Sequence, residues 1–102
     1  MKKLKVEIQY FTGCPNSQKM IGRVKYAVEQ TSLEINYIET LVETPEEADR
    51  LKFRGSPTLL IDGKDFENLP EPEKGNLSCR YYPNGLPETE QIVNEIKEKG
   101  NK

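Results

Sequence analysis

The sequence predicts an α/β fold: a four-stranded mixed sheet with helices packed on it, in the order β-α-β-α-β-β-α. Three observations predict it. Leu4, Val6, Ile8 and Tyr10 alternate with Lys5, Glu7 and Gln9, the period of a strand with one strongly apolar face. Met20, Ile21, Val24, Ala27 and Val28 then recur at helical spacing from Pro15 to Gln30. Further on, the apolar run Thr58-Leu59-Leu60-Ile61 meets Asp62-Gly63, a pair suited to a tight turn.

The remaining elements follow in order. Residues 33–41 read as a second strand, and the first β-α-β unit is expected to be parallel and right-handed. Thr44-Pro45-Glu46-Glu47 opens a short helix, with Thr44 as N-cap, Pro45 at the first position and Glu47 completing a capping box. That helix buries Ala48 and Leu51. Residues 68–76 are rich in Pro, Glu and Gly and read as a loop, and Leu77 to Tyr82 form the fourth strand. Glu88 to Lys99 is the last helix, with Ile92, Val93 and Ile96 toward the core and Gly100 as its stop. The polar positions Lys5, Glu7 and Gln9 imply a thinly covered second sheet face, with the short helix as its cover. No repeat or low-complexity tract interrupts the 102 residues, which are expected to form one domain over 1–102.

Composition narrows the chemistry. The net charge is −2, and Lys and Glu are interspersed, so neither a nucleic-acid stripe nor a basic membrane patch stands out. No apolar run is long enough to span a bilayer. The basic start Met1-Lys2-Lys3-Leu4 is not followed by an apolar segment of signal-peptide type, so the chain is expected to be cytoplasmic. There is no histidine, which removes Cys-His and Ser-His hydrolases. The two cysteines, Cys14 and Cys79, cannot complete a four-ligand zinc finger. In the cytosol a cysteine is more often catalytic, redox-active or metal-binding than part of a structural disulfide.

The stretch Tyr10-Phe11-Thr12-Gly13-Cys14-Pro15-Asn16-Ser17 carries the strongest chemical signal. It joins the first strand to the first helix and puts Cys14 at the joint. A thiol there sits among free backbone N–H groups at the positive end of a helix dipole, and both favour the reactive thiolate. Gly13 lets the chain turn closely beside the sulfur, and Pro15 suits the first turn. The competing reading of Cys14 is a small buried hydrophobe. Cys79 has two readings: core packing in a late strand, or a thiol that meets Cys14 when the loop before it folds over the groove. Phe11 is a candidate shield for the thiol. Arg54 and Arg80 either steady a thiolate, bind an anionic tripeptide, or are ordinary surface arginines.

With these elements in place, the chain resembles the thioredoxin-like superfamily over residues 3–62. The resemblance is carried by Phe11-Thr12-Gly13-Cys14-Pro15-Asn16-Ser17 after the first strand and Gly55-Ser56-Pro57-Thr58 before the third. It is similar, more narrowly, to small bacterial and archaeal thioredoxin-like proteins that share Tyr10 to Asn16, Phe53 to Thr58, and the late Cys79-Arg80-Tyr81-Tyr82. The resemblance implies that Pro57 is cis and packs beside the active cysteine. A cis X-Pro bond turns the chain sharply at little cost. It leaves the N–H and C=O of the preceding residue for an extended substrate in the groove. The chain departs from the dithiol pattern: Ser17 stands where Cys-x-x-Cys proteins have their second thiol. Ser17 is then expected to hydrogen-bond a Cys14 thiolate, as in monothiol relatives. Resolution of a mixed disulfide falls to Cys79 or to an external thiol such as glutathione.

The function expected on this basis is thiol–disulfide exchange, with Cys14, Ser17, Pro57 and Cys79 as the site and a protein or small-molecule thiol or disulfide as substrate. No bound cofactor is expected, and neither nucleic acid nor membrane is an expected partner. Cys14 is expected to be the more reactive thiol. Two alternatives belong to other classes. One is a soft-metal protein holding Hg(II) or Cu(I) on two thiolates. The other is a redox-silent adaptor that keeps the fold and uses its groove or sheet edge.

Overall fold

The computed structural model describes residues 3–100; Met1 and Lys2 of the basic start lie outside them. Seven elements follow in order: β1 (Leu4–Tyr10), α1 (Asn16–Gln30), β2 (Ile35–Leu41), α2 (Pro45–Leu51), β3 (Thr58–Ile61), β4 (Lys64–Asp65) and α3 (Thr89–Gly100). The sheet order is β2-β1-β3-β4, with β1 parallel to β2 and antiparallel to β3, and β3 antiparallel to β4. Among the described residues no helix is long and apolar enough to cross a membrane.

The alternation in β1 builds the main core. Leu4, Val6 and Ile8 are buried, and the register places Val6 opposite Ile61 and Ile8 opposite Leu59. Met20, Ile21, Val24 and Ala27 of α1 and Ile92 and Ile96 of α3 close over this face. Each large aliphatic side chain so buried contributes about 1.5–3 kcal/mol. At the end of α3, a Cβ on Gly100 would collide with the side chain of Leu33, so glycine here closes the helix by close approach.

Two local motifs sit where the sequence places them, the helix cap working through the Thr44 hydroxyl alone. The Glu47 N–H donates to Thr44 Oγ1 at 3.1 Å, and the Thr44 hydroxyl lies 3.3 Å from Glu47 Oε1. Asp62 and Gly63 both have positive φ, 50° and 81°, the requirement of a type I′ two-residue hairpin turn between β3 and β4. Asp62 also exchanges its backbone N–H and side-chain oxygen with the backbone of Lys5.

That turn explains a correction. The fourth strand is Lys64–Asp65, immediately after the hairpin, and not 77–82. A two-residue turn returns the chain onto β3 at once, and Asn68, with φ of 61°, bends it away again. The 77–82 segment makes a single parallel bridge, Ser56 to Cys79.

The second sheet face also differs from expectation. By register Glu7, Gln9, Thr58, Leu60 and Asp65 share it. Gln9 is only 3 % exposed. Glu7 accepts from Thr40 Oγ1 at 2.7 Å and from Gln9 Nε2 at 3.2 Å, so the face carries a polar layer that period-2 reasoning reads as solvated. The cover is more than α2. Arg80, from the late segment, reaches Thr58 and Asp65 there. The short helix contributes Ala48 to a smaller cluster with Val42 and Phe53, against which Phe11, Leu51 and Leu77 pack.

Candidate functional site: a cysteine pair at the start of the first helix

Chain order puts the site past the end of β1. Residues 11–15 connect Tyr10 to α1, and the Cys14 carbonyl accepts from the Ser17 N–H at 3.1 Å, forming the first turn of the helix. Cys14 is 4 % exposed. The Phe11 ring lies over Gly13, where an added Cβ would sit 2.5 Å from Phe11 Cε2, so a side chain at position 13 would displace that ring.

Cys14 and Cys79 form a disulfide, with Cα atoms 5.7 Å apart and a sequence separation of 65. Of the two readings of Cys79, the structure therefore shows the one in which the thiols meet. The backbone explains how. The Ser56 N–H donates to Ser78 O at 2.8 Å, the Arg80 N–H donates to Ser56 O at 2.9 Å, and the Asn76 N–H donates to Phe53 O at 2.8 Å. Residues 76–80 thus run alongside 53–56 and carry Cys79 to Cys14. The Ser56–Pro57 bond is cis, and Pro57 is buried. Gly55 adopts φ of 101°, and a Cβ there would stand 2.9 Å from Arg80 Cβ. Both its conformation and its clearance call for glycine.

Ser17 is placed differently from the sequence expectation. It is buried, its hydroxyl donates to Phe11 O at 3.2 Å, and it lies 2.7 Å from Ser56 Oγ. Ser56 Oγ in turn accepts from the Phe11 N–H at 3.0 Å. A disulfide sulfur is a weak acceptor beside a second hydroxyl, so Ser17 turns to Ser56 and not to Cys14. The network ties the start of α1 to the loop that holds Cys79.

The late segment is clamped through its arginine. Arg80 donates to both carboxylate oxygens of Asp65, Nη1 at 2.6 Å and Nη2 at 2.9 Å, and to Thr58 Oγ1 at 3.2 Å. Its guanidinium lies 4.7 Å from the centroid of the Tyr82 ring, and the Tyr82 hydroxyl donates to Pro57 O. Asp65 also accepts from the N–H groups of Glu67 and Leu69, at 2.9 and 3.1 Å. Burial pushes the Asp65 carboxyl up. The Arg80 hydrogen bonds and charge and the two N–H donors outweigh it and hold the group below its ordinary value. Arg54 is 3.9 Å from Asp65 and donates to Leu69 O at 3.0 Å. Both arginines therefore serve the loop and its acid; neither stands free beside a thiolate.

Sequence reasoning missed Asp65, Tyr82 and the side chain of Ser56. Asp65 follows a turn and reads as an exposed loop acid; only its pairing with a distant arginine buries it. Ser56 was visible as the residue before Pro57, but nothing in the sequence links its hydroxyl to Ser17.

Residues 4–66 match a family model described as a thioredoxin domain. The match spans β1 to β4 and includes Cys14, Ser17 and Pro57, while Cys79 and α3 lie beyond it. No curated protein matches the chain. The sheet order, the strand-cysteine-helix joint and this match over more than half of the chain converge on one assignment: the protein belongs to the thioredoxin domain family.

Proposed function

We propose that the chain is a thiol–disulfide oxidoreductase whose redox couple is Cys14 and Cys79. The observation that supports it is the pairing of these two residues across 65 positions at the start of α1. Oxidation joins the sulfurs and releases two electrons and two protons to a disulfide substrate; reduction returns them. The start of α1 favours the Cys14 thiolate through free N–H groups and the helix dipole. Cys79 supplies the second thiol that Ser17 cannot. Pro57 and Ser17 act as positioning residues, because Ser56, joined to Pro57 by the cis peptide bond and to Ser17 through its hydroxyl, holds the backbone on either side of Cys79. The substrate class is a thiol or disulfide, with glutathione as a suitable external thiol. In a cytoplasmic setting such a disulfide is transient and catalytic.

Turnover separates this function from its alternatives. With glutathione and hydroxyethyl disulfide, the wild-type chain catalyses exchange, Cys79→Ser falls to the uncatalysed rate and Cys14→Ser loses the intramolecular step, while far-ultraviolet circular dichroism stays unchanged. Full activity in Cys79→Ser would show a monothiol protein. The same convergence of sulfurs supports a second reading, in which the reduced pair holds Hg(II) or Cu(I) between two thiolates. Stoichiometric metal binding that needs both thiols, without exchange turnover, would decide for it.

A further inference from the structure

We infer that external thiols attack the couple at Cys79, with Cys14 as the leaving thiolate, an assignment that rests on the exchange function proposed above and fixes its order of steps. Three observations carry it. Cys14 is 4 % exposed, whereas Cys79 is an exposed residue of the late segment. Attack on a disulfide follows access, so Cys79 offers the reachable sulfur. Second, the better leaving group is the thiol with the more stable thiolate. Cys14 adjoins the start of α1, while Cys79 lies in a segment without helix and its neighbour Arg80 is already paired with Asp65, so the charge left behind is better stabilised at Cys14. Third, both backbone groups of Ser56 are already bonded, to Ser78 and Arg80. A partner that needs to lie along Ser56 as an extended strand finds that position filled by the chain itself. The fitting partner is a low-molecular-weight thiol, which needs only to reach the exposed residue Cys79.

The step balances as an exchange. A thiolate RS⁻ forms a bond to Cys79 Sγ as the Cys14–Cys79 bond breaks, giving Cys79–S–S–R and a Cys14 thiolate. A second thiolate then attacks the R sulfur, releasing the disulfide of the two small thiols and a Cys79 thiolate. The small thiols are oxidised and the protein disulfide is reduced. In the opposite direction Cys79 takes up the small disulfide, and Cys14 attacks Cys79 Sγ to expel RS⁻. The order is the reverse of the one that sequence position suggests, where the cysteine at the helix start meets the substrate first.

Two measurements test it on the full chain. The oxidised protein is exposed briefly to glutathione, quenched in acid, capped with N-ethylmaleimide and mapped by mass spectrometry. Glutathione on Cys79 with the cap on Cys14 is the expected pattern; glutathione on Cys14 overturns the assignment. Reduction by no thiol at all would instead refute the exchange function itself. Because Cys14 recaptures the adduct, single-thiol variants provide the second measurement. The rate with a dithionitrobenzoate reporter, divided by the thiolate fraction from a pH titration, is compared for Cys14→Ser and Cys79→Ser. Cys79 in Cys14→Ser is expected to react at least about tenfold faster per thiolate, as access dictates. Equal rates, or a faster Cys14 in Cys79→Ser, would overturn the inference.

Discussion

Reducing the Cys14–Cys79 disulfide is expected to lower the unfolding free energy by about 4 kcal/mol, the chain-entropy value for a closed loop of this length. The two cysteines are 65 residues apart, so the cross-link removes many conformations from the unfolded chain. The folded chain loses less, because residues 76–80 remain bonded to Phe53 and Ser56 and Arg80 remains on Asp65. Urea denaturation of the oxidised chain and of the chain kept in reductant measures the difference. A loss below about 1 kcal/mol would mean that the reduced chain keeps its unfolded ensemble restrained or relieves native strain. The same linkage makes folding drive disulfide formation: whatever stabilises the late segment on the sheet also favours the oxidised pair.

The second large effect is at Asp65. Asp65→Ala is expected to cost about 3–5 kcal/mol, because it leaves the Arg80 guanidinium buried without its counter-charge. The side chains of the pair are only 1 % and 6 % exposed, so water does not replace the lost partner. The two N–H groups of Glu67 and Leu69 lose their acceptor as well. The pH dependence has a definite sign. Asp65 is held below its ordinary value of 3.8 in the folded chain. Its contribution is therefore full above that value and is lost as pH falls through the lower, folded one. Wild type and Asp65→Asn should differ strongly in urea midpoint at neutral pH and converge in acid. A difference that stays constant with pH would assign the effect to packing. Because Arg80 adjoins Cys79, Asp65→Asn should also shift the cysteine pair toward the dithiol in a glutathione buffer.

What could be read from the chain, and what could not, divides along physical lines. Local signals were legible. The alternation in β1, the helical spacing in α1, the Thr44 cap and the Asp62-Gly63 turn each depend on neighbours in sequence. The place of Cys14 at the strand-to-helix joint was legible for the same reason. The late segment was not. Leu77 to Tyr82 has strand-forming residues, but its partners are Phe53, Ser56, Thr58 and Asp65, and no local pattern encodes those distances. The apparent polarity of the second face misled for the same reason: Gln9 is buried, and Asp65 is covered by Arg80 from the late segment. Ser17 lies in the first turn of α1, as the sequence places it, yet its hydroxyl's partner is Ser56, set by tertiary packing.

A redox titration tests most directly whether Cys14 and Cys79 act as one couple. The full chain is equilibrated in glutathione buffers of stepped ratio, quenched with N-ethylmaleimide and weighed. One couple gives a single transition in which both thiols appear together, with the oxidised form yielding one linked peptide that joins Cys14 to Cys79. A chain that instead accumulates glutathione on Cys14 while Cys79 stays free, or that dimerises through Cys14, would contradict it.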